Sequence, residues 1–210
     1  MALRRASLRW GASEDELRMA LPGDELVPVP DLAATRAITV AAPPAAVWPW
    51  LTQLGQNRGG FYSYDWLENL MGLGIHSANV IRPELQVHAV GDAVNLAPGG
   101  GLSVVRLDPD SALVLGGGAG PGGVVSGPDD GGAPFDFTWS FVLLPQAGGS
   151  TRLVVRERYA YRTVWAGVMV EPVEMASFLM TERMLRGIRD RAERNHRERN
   201  HRERNQAERT

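Results

Sequence analysis

The densest group of residues able to do chemistry lies between positions 61 and 76: Phe61, Tyr62, Tyr64, Asp65, Trp66, Glu68 and Asn69, with His76 shortly after. At the mouth of a pocket, the Tyr and Trp rings would serve as walls, and Glu68 or His76 would polarise a ligand oxygen. The run also reads as a short helix on a sheet, with Asp65 and Glu68 in solvent and the aromatics in the core; aromatic helical stripes favour this second reading. A further candidate is Glu157, which stands between Val155 and Tyr159 on the face that also holds Leu153. An inward carboxylate in an apolar interior would have a raised pKa and could transfer protons. The opposite phase would turn Val154, Arg156, Arg158 and Ala160 inward, and two arginines suit an interior less well than one glutamate, so Glu157 is expected inside. The alternative outcome is a pairing of Glu157 with a neighbouring arginine. The candidate proton-transfer residues are therefore Glu157, Glu68, His76 and Tyr62.

Several kinds of chemistry are excluded. The chain has no cysteine, so disulfides, thiolate nucleophiles and Cys-based zinc sites are impossible. All 22 basic residues are arginine, which removes Schiff-base chemistry. No His-x₃-His, His-Glu-x-x-His or carboxylate-rich pattern occurs in the expected folded part, so no metal and no cofactor are expected. Gly118 to Gly123 matches GxGxxG, but no helical pattern follows it, and no Gly-x-Ser-x-Gly elbow is present. The net charge of −2 carries no signature of nucleic acid or anionic membrane. The apolar stretch from Val164 to Met184 is interrupted by Glu171, Pro172, Glu174, Glu182 and Arg183, so no integral membrane segment is expected. The first residues lack an apolar signal region, and with no cysteine the expected location is the cytoplasm.

The elements that must position these groups follow from periodicity. Ser13 to Glu16 forms a capping box that opens a short helix. A strand is expected over 35–41, a helix over 45–54 after Pro43-Pro44, and a second helix from residue 63 or 64 to 71. Period-two alternation then predicts antiparallel strands over 87–96, 102–107, 112–116, 135–144 and 152–162. Phe135, Phe137, Trp139, Phe141 and Leu143 share one face, as do Leu153, Val155, Glu157, Tyr159 and Tyr161 on the partner strand. The glycine-rich stretch 116–134 reads as a mobile loop or lid. Pro172 fits the first turn of a long helix whose apolar stripe includes Met180, Met184 and Ile188. Residues 195–210 lie in a five-residue repeat, ERNHR, that forms no apolar stripe and is expected to be disordered or to fray as a helix. The expected layout is an extension over 1–34, one domain over 35–194 and this tail.

The order strand, two helices, antiparallel strands, long C-terminal helix is the helix-grip topology, an α+β fold in which a curved antiparallel sheet wraps a C-terminal helix. The segments RWGASEDE, LPGDELVP, TRAITVAAPPAAVWPWLTQLGQNRGGFYSYDWLENL, IHSANVIRPELQ, FTWSFVL, TRLVVRERYAY and MLRGIRDRAE resemble the SRPBCC superfamily of START-like and polyketide-cyclase-like proteins. They span residues 9 to 194 and are most similar to an actinobacterial branch of it. The Pro-x-x-x-Val-Trp helix start is common across that superfamily, whereas the Gly60 to Asn69 run is more specific to the branch. The resemblance implies an apolar cavity between sheet and helix. It implies no single activity, because relatives bind lipids or act as cyclases.

The leading expectation is a carrier of a small hydrophobic molecule such as a lipid, polyketide or isoprenoid. Its ligand-contacting residues would be Trp66, Tyr64, Phe137, Trp139, Phe141, Tyr159, Met180 and Met184. The competing expectations are an aromatase/cyclase or dehydratase using Glu157, Glu68, Tyr62 or His76, and a non-catalytic interaction protein. No nucleic-acid partner is expected, and the chain is expected as a monomer or homodimer.

Overall fold

The computed structural model describes the backbone of residues 2–70, 72, 74–97, 100–119, 125–126, 135–162 and 164–209; side chains at 2–3, 5, 67–68, 118–119, 125–126 and 164–177 lie outside the description. Among the described residues, five α-helices and seven strands follow the order α1 (Ala2–Leu8), α2 (Glu14–Arg18), β1 (Leu32–Val40), α3 (Pro44–Thr52), α4 (Asp65–Leu70), β2 (Ala93–Ala97), β3 (Gly100–Asp108), β4 (Ala112–Ala119), β5 (Val125–Ser126), β6 (Phe135–Pro145), β7 (Thr151–Tyr161) and α5 (Val164–Ala207). The strands form one antiparallel sheet in the order β1-β7-β6-β4-β3-β2, with β5 paired to β4. Register shifts between Asn95 and Ala97, and between Val104 and Arg106, mark bulges. Bulges bend strands and increase their twist, which suits the curvature of this helix-grip α+β sheet.

Local chemistry explains most of these elements. Ser13 Oγ accepts the Glu16 N–H at 3.2 Å, and the Glu16 carboxylate accepts the Ser13 N–H at 2.7 Å, so the capping box starts α2 as its sequence predicts. Pro44 occupies the first turn of α3, where the missing N–H costs nothing. The alternation in β6 and β7 meets in register: Phe137 opposite Tyr159, Trp139 opposite Glu157, Phe141 opposite Val155 and Leu143 opposite Leu153.

Other elements differ from expectation. The strand expected over 87–96 begins only at Ala93. The Asp92 carboxylate accepts the N–H groups of His88 and Ala89, at 2.7 and 3.1 Å, and so turns the backbone before the strand begins. Strand β4 runs on to Ala119 and pairs with β5, so 116–119 and 125–126 belong to the sheet; residues 120–124 and 127–134 of the expected lid lie outside the description. Helix α5 starts at Val164, which puts Pro172 inside it at the loss of one intrahelical hydrogen bond. The helix also runs on through the repeat to Ala207, where fraying was expected. Glu193 pairs with Arg197 at 3.6 Å, and Asn200 and Asn205 meet His196 and His201 one turn back. Pairs one turn apart are the helical contribution available to a segment with no apolar stripe.

The N-terminal extension covers the outer face of the sheet. Leu21 packs with Ala37, Ala112, Val142 and Val154 there, and Ala12 and Met19 flank them. Three arginines of β7 reach out to hold it. Arg156 donates to Thr35 Oγ1 (2.9 Å), Met19 O (2.9 Å), Glu16 O (2.6 Å) and the Asp24 carboxylate (2.6 Å). Arg158 reaches Val27 O at 2.8 Å, Pro28 O at 3.0 Å and Asp24 at 3.2 Å; Arg152 reaches Glu16 at 2.7 Å. Gly23, with φ of 94°, lies so close to the sheet that a Cβ would stand 2.6 Å from Ser140 Oγ. The outward phase of β7 is thus filled with arginine because each head has carbonyls or carboxylates to bind.

Candidate functional site

The concave face is built from the inward phase of each strand. Ile38, Val40, Val104, Leu113, Leu115, Phe135, Phe137, Phe141, Leu143, Leu153 and Val155 form its buried surface, with Trp139, Tyr159 and Tyr161 partly buried against it. Phe137 and Tyr159 lie 4.5 Å apart, Phe135 and Tyr159 5.6 Å, and Trp139 and Phe141 4.9 Å, so an aromatic band crosses β6 and β7. From α5, Met184, Leu185 and Ile188 are buried in the same core and Met180 is half-buried. Among the described residues the backbone of α5 comes near α3, β1 and β7.

A charged pair sits inside this apolar face. Glu157 is 4% exposed and Arg36, on β1, is 1% exposed. Arg36 Nη1 donates to Glu157 Oε1 at 2.9 Å, and the Thr181 hydroxyl of α5 donates to the same oxygen at 3.2 Å. Arg36 Nε donates to Ser7 O of α1 at 3.0 Å, and the Phe178 ring of α5 stands 5.6 Å from the guanidinium carbon. The pair is thus gripped by β1, β7, α1 and α5. One donor of the pair and one beside it remain unused. Among the described residues, Arg36 Nη2 and Trp139 Nε1 are buried and have no hydrogen-bond partner, and a buried unpaired donor costs roughly 1–3 kcal/mol. Glu157 points inward, as the alternation of β7 predicts, and the arginine it pairs with is Arg36. That residue was missed, although Ala34, Arg36, Ile38 and Val40 alternate in β1 and show an arginine in the apolar phase.

The aromatic-and-acid run serves another purpose. Tyr62 is buried with φ of 57°, a left-handed conformation rare for a bulky residue. Its N–H donates to Ser77 Oγ (2.9 Å), and Ser77 in turn donates its N–H (2.8 Å) and hydroxyl (2.5 Å) to the Asp65 carboxylate. The Tyr62 hydroxyl donates to Trp50 O at 3.2 Å, its ring lies edge-on to Trp50, and the Arg191 guanidinium stacks 4.8 Å from it. Burial raises its pKa far above the usual phenol range. Asn69 closes the following loop by exchanging two hydrogen bonds with the backbone of Ile75. These contacts tie Tyr62 to α3 and α5, and Asp65 and Asn69 to Ser77 and Ile75. Gly187 permits that approach, since a Cβ there would lie 2.3 Å from the Tyr62 carbonyl oxygen.

The remaining candidates are dispersed. His76 is exposed, and Trp66 is 68% exposed. Tyr64 is half-buried, with Arg183 6.0 Å over its ring, and the Glu68 side chain lies outside the description. Glu157 and Tyr62 serve different partners. Phe137, Trp139, Phe141, Tyr159 and Met184 share the apolar core with Arg36 and Glu157 beside them. No group of three or more His, Asp or Glu side chains able to hold a metal occurs among the described residues. No helix there is long and apolar enough to cross a membrane.

No family model matches the chain, and no curated protein does. Solved structures do. A protein of Thermobifida fusca solved in solution is 15% identical, with a TM-score of 0.48 over 77% of this chain and 93% of that one. A polyketide-cyclase-like protein of Corynebacterium glutamicum is 15% identical, with a TM-score of 0.42 over 75% of this chain and 88% of its own. DynU16, a protein in the dynemicin biosynthetic locus, is 18% identical, with a TM-score of 0.44 over 75% of this chain and 47% of its own.

Proposed function

We propose that the protein binds and carries a small hydrophobic molecule, of lipid, polyketide or isoprenoid character, between the concave face of the sheet and α5, as the sequence resemblance to the SRPBCC superfamily implies. The observation that carries this reading is the aromatic band on β6 and β7, where Trp139, Tyr159 and Tyr161 are only partly buried against the apolar face. An apolar, aromatic wall with a few fixed polar groups is the usual lining of a small-molecule site. Trp66, with its exposed ring, and Tyr64 are outlying contacts in this reading; Met180 and Met184 supply adaptable surface from the helix.

Native mass spectrometry of freshly purified protein tests it. The expected spectrum contains an additional bound mass that organic extraction removes, and the emptied protein takes up an apolar dye. Protein that carries no such mass and takes up neither dye nor lipid would end the carrier reading.

The enzyme reading has less support. Proton-transfer catalysis needs two groups directed at one reacting centre. Glu157 is engaged by Arg36 and Thr181, Tyr62 by Trp50, and His76 faces solvent.

A further inference from the structure

The carrier reading leaves the chemistry of the ligand's polar end open, and the buried pair narrows it. We infer that the interior recognises an apolar molecule bearing an uncharged carbonyl oxygen, which accepts hydrogen bonds from Arg36 Nη2 and Trp139 Nε1. This rests on the proposed function above. Strands β1 and β6 flank β7, and Trp139 stands directly opposite Glu157. Arg36 stands opposite Val155, one inward position along from Glu157, and neighbouring strands lie about 4.8 Å apart, so the two donor residues flank β7 on its inward face. Both are buried, and neither has an acceptor among the described residues.

The charge balance selects among acceptors. Arg36 and Glu157 already neutralise each other through the 2.9 Å contact. A ligand carboxylate would bring a second negative charge beside Glu157, and like charges in a low-dielectric interior repel strongly. A hydrocarbon would leave both donors unpaired. An uncharged carbonyl, as in a ketone, an ester or a quinone, satisfies them without adding charge. Phe137, Phe141 and Tyr159 then hold the apolar body of the ligand alongside.

Three probes of one size separate the possibilities: 2-acetylnaphthalene, 2-ethylnaphthalene and 2-naphthoate. Equilibrium dialysis against the full chain gives each dissociation constant. The ketone is expected to bind at least about tenfold more tightly than the hydrocarbon, the range for a hydrogen bond to a charged donor, and more tightly than the naphthoate. The W139F variant keeps the ring and loses the N–H, so it should lower the ketone's preference several-fold. The double variant R36M/E157M removes both charges together and should abolish the preference while hydrocarbon affinity persists. Circular dichroism confirms that each variant is folded. Equal binding of ketone and hydrocarbon overturns the carbonyl inference and leaves the carrier reading standing. Preference for the naphthoate overturns the charge argument. Failure of all three probes, together with native mass spectra free of bound molecules, removes the carrier reading itself.

Discussion

Replacing Arg36 by methionine removes the partner of a carboxylate that is 4% exposed. Glu157 loses its 2.9 Å contact to the guanidinium and keeps the Thr181 hydroxyl at 3.2 Å, and Ser7 O loses a donor at 3.0 Å. Breaking a buried pair from one side costs about 3–5 kcal/mol. For a chain of this size, each kcal/mol lowers Tm by roughly 2–4 °C, so R36M should lower it by about 6–20 °C. E157M leaves the guanidinium buried without its counter-charge and should cost a similar amount. The double variant R36M/E157M removes both charges and restores apolar volume; it should lie within about 1–2 kcal/mol of wild type, because a hydrophobic replacement of a buried pair is often neutral. Urea unfolding with an unchanged m-value, checked by thermal melts, measures all three. The reasoning fails if the double variant loses the sum of the two single losses, since the charges would then not be coupled in the folded state.

The other expectations concern the surroundings of that pair. Arg156→Met strips donors from Met19 O, Glu16 O and Asp24, and should speed amide exchange across residues 14–26 selectively; uniform exchange along the chain would contradict the anchoring of the N-terminal extension by Arg156. The Arg152 hydrogen bond holds the Glu16 carboxyl below the usual carboxylate range. A depressed folded pKa gives stability that is present above the unfolded value and is lost as pH falls through the folded one. The stability gap between wild type and E16Q should therefore be full near neutrality and close in acid, as read from urea midpoints against pH. Gly187→Ala puts a Cβ 2.3 Å from the Tyr62 carbonyl oxygen and should cost more than about 2 kcal/mol, since overpacking forces the helix outward; an unchanged melt would contradict the close approach. Deleting residues 195–210 removes a largely exposed helical extension and should leave Tm and dye binding unchanged, as differential scanning and fluorescence would show.

What the chain declares by itself is local and periodic. The capping box at Ser13, the proline start of α3 and the inward phase of β6 and β7, including Glu157, depend on spacing along a few residues, and period-two alternation is a property of the strand alone. Where local patterns compete, the sequence misleads: residues 87–92 alternate like a strand, yet the Asp92 side chain takes two of their amides. The tertiary structure decided the partners. Arg36 meets Glu157 across 121 positions of sequence because β1 returns to pair with β7 at the edge of the sheet. The arginines at 152, 156 and 158, which look like a solvent face, clasp a segment more than a hundred residues earlier. The Tyr62 run, for which a pocket wall is the less favoured reading, became a lock because Ser77, Trp50 and Gly187 converge on it. Alternation says which way a side chain points; only the closed fold brings to it the charge or carbonyl that gives it a role.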